Sequence, residues 1–252
     1  MKKIVYIFLM ISVLTLSTQA ATRGDVKVIE ASENIRYLTQ KIIKNYLHLY
    51  NNPKKNSIKY RIDEALIKLN NDFRDIAITT KDSDSKDMLD YLLYSKSDME
   101  NIVKEKVDQK NALLMLDYSE VLLEGVDSIE KAHRYDFSNE EKMLIATEKM
   151  IYLLERIMKH YMAYQMGLNI KINEEQVLVA MSDFEENLES INNYEYPSQI
   201  ESMRIIINKY WEANKILFSK KQNMFIPNLL NDTLVHLEES IAKLSLYHSK
   251  NQ

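Results

Sequence analysis

Apolar residues recur along this chain at steps of three and four, with polar residues between them. The first series is Ile35, Leu38, Ile42, Tyr46 and Leu49, and the second is Ile58, Ile62, Leu66, Leu69, Phe73 and Ile76. A weaker third holds Leu89, Leu92, Met99 and Val103, and a fourth holds Leu114, Tyr118, Val121 and Ile129. Further series start at Met143, Val177, Met203 and Leu234. This spacing sets each group on one stripe of a helix, and each stripe needs a neighbour to bury it. Breakers separate the series: Asn51-Asn52-Pro53, Asp82-Ser83-Asp84-Ser85, Tyr135 to Asn139, Gly167 to Asn173, Tyr194 to Ser198, and Pro227. The Asp82 run can cap a following helix, and Ser138 with Glu141 has the form of a capping box. Gly125 lies inside a helix that starts near Asp108, at a cost of ~1 kcal/mol relative to Ala, which points to a close helix contact or a kink. Four helices with short joints make an up-and-down bundle. The chain as a whole predicts an all-α fold of two tandem antiparallel four-helix bundles.

The pattern also repeats. At an offset of 115, Tyr37/Tyr152, Leu38/Leu153, Ile42/Ile157, Lys44/Lys159 and Tyr46/Tyr161 are identical. Further on, Asp72-Phe73 answers Asp183-Phe184, and Ser128-Ile129 answers Ser240-Ile241, at slightly smaller offsets. The period is too long for a solenoid unit and suits a small domain. The expected division is a first bundle over 21–136 and a second over 137–252, each around its own core.

Composition narrows the picture. Lys2 and Lys3, an apolar run from Ile4 to Leu16, and Thr18-Gln19-Ala20 together have the form of a cleavable signal peptide over 1–20. The run is short for a membrane span. The expectation is an exported, periplasmic protein, an uncleaved anchor being the competing reading. Without Lys2 and Lys3 the charge becomes −6, from 31 basic and 37 acidic residues. No basic cluster suits nucleic acid, and the acidic balance speaks against an anionic membrane surface. There is no Cys, so cores alone must hold the fold. Gly24, Gly125 and Gly167 are the only glycines and are not grouped, which argues against phosphate-cradling loops.

Catalytic and metal chemistry find no pattern. The five histidines, His48, His133, His160, His236 and His248, show no metal-ligand spacing and read as partly exposed helix residues. No Gly-x-Ser-x-Gly elbow is present. The expectation is no metal, no cofactor and no enzyme activity.

One segment carries a resemblance. Asn34-Ile35-Arg36-Tyr37-Leu38-Thr39-Gln40-Lys41-Ile42 resembles the opening helix of the sensor domains of type IV pilus chemoreceptors, the PilJ family, which are related to the periplasmic domains of NarX-type nitrate sensors. Arg36 falls on the second arginine of that motif, and Leu38 to Lys41 falls on its Leu-Ser-Gln-Arg. Asn34 replaces the first arginine and Glu33 the preceding glycine, and Ile151 stands in the second half where Arg36 stands in the first. The resemblance implies an all-helical periplasmic module that binds a small anion such as nitrate between the first helices of two protomers. Arg36, Thr39 and Gln40 would then be the ligand-binding residues, with a homodimer as the assembly. A guanidinium fork suits a planar anion. The plain alternative is that Arg36 pairs with Glu33 or with a partner chain. Lacking signalling domains in this sequence, such a module would report through a periplasmic or membrane receptor protein. The competing function is a structural or adaptor protein that holds a partner on its helical faces.

Overall fold

The computed structural model describes residues 23–219 and 226–251. The signal-peptide reading of 1–20 lies outside them. The described residues form eight helices: α1 (Arg23–Asn51), α2 (Asn56–Thr79), α3 (Ser83–Lys104), α4 (Gln109–Ala132), α5 (Asn139–Gln165), α6 (Ile170–Asn193), α7 (Ser198–Ser219) and α8 (Pro227–Lys250). No strand occurs among them. Helices α1 to α4 pack in a ring, each against the next and α4 against α1, and α5 to α8 do the same. The fold is therefore all-α, with two four-helix bundles in tandem. None of the described helices is long and apolar enough to cross a membrane.

The helix ends follow local chemistry. Asp82 and Asp108 each accept a hydrogen bond from the backbone three residues on, at Ser85 and Asn111. Each thereby satisfies one of the free N–H groups of a first turn. Ser138 and Glu141 form the full capping box at the start of α5. Pro227 opens α8, where a missing N–H costs nothing. At the end of α5, Leu168 N–H reaches Ala163 C=O across Gly167, whose φ of 77° is open to glycine. That is a Schellman turn, and it buries Leu168.

The repeat is more regular in three dimensions than in sequence. α2 and α6 both have 24 residues, α3 and α7 both 22, and α4 and α8 both 24. Every buried position of α2 (Ile58, Ile62, Ala65, Leu66, Leu69, Phe73, Ile76) has a buried counterpart in α6 at an offset of 115 (Asn173, Val177, Ala180, Met181, Phe184, Leu188, Ile191). Met115, Leu122, Val126 and Ile129 correspond in the same way to Leu230, Leu237, Ile241 and Leu244. The shorter offsets read from Asp72-Phe73 and Ser128-Ile129 are thus about one helical turn out of register. Side chains four apart share a face, so similar residues one turn away imitate a match. Phe184 answers Leu69, and Phe73 answers Leu188.

Two expectations change. The bundles do not have separate cores, because one continuous apolar cluster runs through both. The link is α1, which packs against α2, α4 and also α5. α4 approaches α5 mainly through long side chains: Arg156 and Lys159 of α5 both bind Glu120 of α4.

Two of the histidines also differ from expectation: His160 and His248 are buried, while His48 and His133 are partly exposed. His133 sets Nδ1 2.8 Å from Asp25 and Nε2 2.9 Å from Thr80. His248 sets Nδ1 2.7 Å from Glu140 and Nε2 2.9 Å from Tyr196. Asp25/Glu140 and His133/His248 both keep the 115 offset. In each bundle the histidine thus ties the end of the last helix to the start of the first. The order carboxylate, imidazole, hydroxyl is that of an activated nucleophile. Here the hydroxyl changes from a buried Thr to a Tyr between copies, so what the repeat keeps is the tie. His160 is buried and bonded to Asn173 at 2.7 Å, whereas His236 is exposed.

Gly125 marks a close contact. A Cβ there would lie 2.4 Å from a Leu92 methyl, where α4 crosses α3. Gly125→Ala gains ~1 kcal/mol of helix propensity and loses ~1–3 kcal/mol to overpacking. A net fall in Tm is expected, and Gly125→Ala combined with Leu92→Ala should recover part of it in thermal unfolding.

Candidate functional site

The polar residues of interest lie where the two bundles meet, on α1 and α5. α1 buries sixteen of its 29 residues, against seven of 24 in α2, because neighbours cover it on several sides. Its buried set includes Ser32, Glu33, Arg36, Thr39, Gln40 and Asn45.

Arg36 does not point into solvent. Its Nε donates to Asp127 at 2.7 Å, one terminal nitrogen donates to Glu33 at 2.5 Å, and the other meets Glu130. The i,i+3 pairing with Glu33 is the one the sequence suggested. Asp127 and Glu130, a full bundle away in sequence, were not legible as its partners. Three carboxylates around one guanidinium leave an excess of negative charge. Arg134 offsets part of it by holding the other oxygen of Glu130 at 2.9 Å. A cavity of about 520 Å³ opens beside this cluster between α1, α4, α5 and α6.

Thr39 and Gln40 lie on the same helix and are fully buried, but the structure brings no partner to them. Thr39 Oγ1 and both amide atoms of Gln40 make no hydrogen bond, nor do Ser32 Oγ and Tyr46 Oη. The repeat gives a reason for Gln40. Its counterpart is Glu155, which pairs with Lys44 of α1 at 2.7 Å. The symmetric partner for Gln40 would be Lys159, but Lys159 turns to Ser119 and Glu120 of α4 instead, at 2.9 and 2.6 Å. Burial pulls Lys159 down to about 7 against the opposing pull of Glu120. For Glu120, burial would raise the carboxyl, but Lys159 and Arg156 outweigh it and bring it to about 2.

A second pair of counterparts, Glu33 and Glu148, also faces this seam. They are separated by the same 115 residues. Glu33 Oε1 accepts from Arg36, while its Oε2 is buried without a partner. Burial pushes Glu33 up to about 7, only partly opposed by Arg36. Burial, with Glu33 and Glu30 nearby, pushes Glu148 up to about 8. Tyr37 Oη donates to Glu238 of α8 at 2.7 Å and accepts from Lys41. A cleft of about 290 Å³ between α1, α5 and α8 is lined by Glu33, Tyr37, Glu148 and Glu238 among others. Among the described residues no group of three or more His, Cys, Asp or Glu side chains could hold a metal ion. Asp72, which the sequence set against Asp183 in the repeat, receives a bond from Asn34 at 3.3 Å, and burial raises it to about 6.

None of the known family models matches this chain, and no curated protein or solved structure does.

The raised carboxyls have a definite consequence for stability. Glu148 holds its proton in the folded protein up to about 8 but loses it in the unfolded chain near 4.5. Its contribution is therefore complete below 4.5 and is lost as pH rises toward 8. Glu148→Gln keeps a neutral group throughout, so the variant should gain on the wild type steadily from pH 5 to pH 8. Paired thermal melts across that range check this; a constant difference would contradict it.

Proposed function

We propose that the protein is a non-catalytic, exported helical module that binds a small ligand at the seam between its two bundles. The observation that carries this reading is the packing of α1 against α5. These are the first helices of the two repeats. In the PilJ and NarX-type sensors that the α1 segment resembles, the ligand lies between the first helices of two protomers. A tandem chain sets the equivalent pair side by side within one molecule, so a ligand site of that kind would need no second subunit. The groups left without partners add support. Most of them, on Ser32, Glu33, Thr39, Gln40 and Tyr46, belong to α1, with Ser85 on α3 and His160 on α5 among the others. Each unmet buried group costs ~1–3 kcal/mol, and natural proteins keep such groups where water, a ligand or movement uses them.

The nature of the ligand departs from the resemblance. A nitrate-like anion would have to displace three carboxylates from Arg36. Glu33 would then be left buried and unpaired, and Glu130 would keep only Arg134, which is unfavourable. The geometry around Arg36 thus weighs against an anion at that residue and favours a structural role for it.

A specific observation favours a second reading, an adaptor. Tyr60, Ile67 and Ile78 stand exposed on α2, and Tyr91 and Tyr94 on α3. Large apolar side chains exposed on neighbouring helices suit a partner protein where they join into one patch.

A thermal-shift screen over small anions, cations and neutral polar molecules separates the two. A ligand at a hundredfold excess over its Kd stabilises by ~2.7 kcal/mol. Gln40→Leu removes both unmet amide atoms at similar volume. It should raise the melting temperature of the free protein and abolish the shift from a ligand that hydrogen-bonds those amide atoms. Nitrate is expected to give no shift. A protein whose melting no small molecule moves would favour the adaptor.

A further inference from the structure

The two repeats differ in which polar groups beside their first helix find partners. In the first bundle these groups are bonded within the chain. Tyr37 Oη donates to Glu238 and accepts from Lys41, Asn34 donates to Asp72 at 3.3 Å, and Lys68 pairs with Glu64 at 2.9 Å. At an offset of 115, Tyr37, Asn34, Lys68 and Asp72 correspond to Tyr152, Lys149, Asp183 and Asn187. The second set lacks the matching partners. Leu123 stands where symmetry would put a second Glu238, and Val179 stands in the place of Glu64. Arg156, the counterpart of Lys41, turns to Glu120 and Gln176. Among the described residues, nothing bonds the Tyr152 hydroxyl, the Lys149 ammonium or the Asp183 carboxylate. All three line the cavity of about 520 Å³ between α1, α4, α5 and α6.

The two walls of that cavity have different chemistry. The α1 and α4 wall is closed on itself, because Arg36 and Arg134 hold Glu33, Asp127 and Glu130. The α5 and α6 wall is open. Lys142, Lys149 and Tyr152 of α5 offer donors, and Asp183 of α6 offers an acceptor. Lys149, Tyr152 and Asp183 are half-buried, so charges that meet them attract more strongly than they would in open water. A simple anion would satisfy the lysines but add negative charge beside Asp183. A simple cation would face Lys131, Lys142 and Lys149. A small molecule that carries both signs meets both demands. We propose that this cavity binds an amino-acid zwitterion, with its carboxylate on Lys142, Lys149 and the Tyr152 hydroxyl and its ammonium on Asp183. Three lysines against one free carboxylate favour an amino acid with a second acidic group. The proposal rests on the seam reading given above and supplies the chemical class of its ligand.

Binding of this kind leaves the Arg36 cluster intact, since no existing ion pair has to open. The free groups of the α5 and α6 wall face a space large enough for a small polar molecule, in the size range of ordinary ligand sites. Water can solvate them there, and a ligand that reproduces those hydrogen bonds displaces it at little cost. The comparison between repeats supplies the specificity. Tyr37 shows that this phenol position can be fully bonded within the chain, whereas Tyr152 at the same place is not. Lys68 corresponds to Asp183 and Asn34 to Lys149, so the second repeat sets opposite charges on the two helices that line the cavity.

Isothermal titration of the full protein with L-glutamate and L-aspartate, near neutral pH and at matched ionic strength, tests this. Saturable binding is expected. Glutarate, the same diacid as glutamate without the ammonium, should bind about tenfold more weakly or worse. Lys149→Gln should weaken glutamate by about tenfold or more, and Asp183→Asn should erase the preference for glutamate over glutarate. Lys86→Gln, on the exposed face of α3, should change neither. The melting temperatures of the variants show that they are folded. No saturable binding of either amino acid at millimolar concentration, equal affinity in Lys149→Gln and the wild type, or glutarate binding as tightly as glutamate overturns the proposal. If the amino acids fail while another small molecule raises the melting temperature, the ligand class falls and the seam reading stands. If no small molecule does so, both fall.

Discussion

The structure depends on the burial of one polar helix. α1 belongs to the first bundle by sequence, yet α5 covers a further side of it. An ordinary bundle helix buries a single stripe and can keep its remaining positions charged, as α2 does. α1 cannot, and Ser32, Glu33, Arg36, Thr39, Gln40 and Asn45 are buried as a result. Apolar residues hold it in place: Val28, Ile35, Ile42, Ile43 and Leu47 are all at most 1% exposed and lie on more than one side. Hydrophobic burial supplies the adhesion, and the polar residues decide how α1 and α5 sit against each other.

That division of labour explains the charge pattern of the seam. Buried ion pairs contribute little net stability, because desolvation offsets their attraction, but breaking one is costly. Arg36 with its three carboxylates, Lys44 with Glu155, and Lys159 with Glu120 therefore act chiefly as constraints on register. They are not mirror copies. Lys44 of the first repeat crosses the seam to α5, whereas its counterpart Lys159 turns to α4. One consequence is that Gln40 lacks a partner that Glu155 has. The asymmetry leaves unmet groups on α1, and the Glu33/Glu148 pair collects on the side facing α8. A repeated scaffold has thus diverged at its shared surface while its outer helices kept the same buried positions.

Much of the fold was legible in the sequence because it rests on local signals. The three-and-four spacing, the caps at Asp82 and Ser138, the Pro227 start and the 115-residue echo each act within a few residues or by simple comparison. Gly125 was read as a close contact or a kink, and Leu92 is what it contacts. The seam was less legible. A clue was present in Ile29, Ile43 and Leu47, which fall outside the first stripe and make α1 apolar on several sides, as a central helix should be. Of the partners of Arg36 only Glu33 was accessible, since Asp127 and Glu130 look like solvated helix positions until α4 is set beside α1. Likewise, His133 and His248 become helix ties only when the ends of each bundle are brought together. The resemblance at Arg36 to Lys41 located the helix that matters, but motif matching did not reveal that carboxylates already fill the arginine fork.

The central claim is that α1 serves both bundles, so neither unfolds without the other. Differential scanning calorimetry measures this directly. Sharing α1 predicts one transition whose calorimetric enthalpy equals its van 't Hoff enthalpy. Two resolved transitions, or a calorimetric enthalpy near twice the van 't Hoff value, would mean that the bundles melt independently and that the α1–α5 seam does not bind them into one unit.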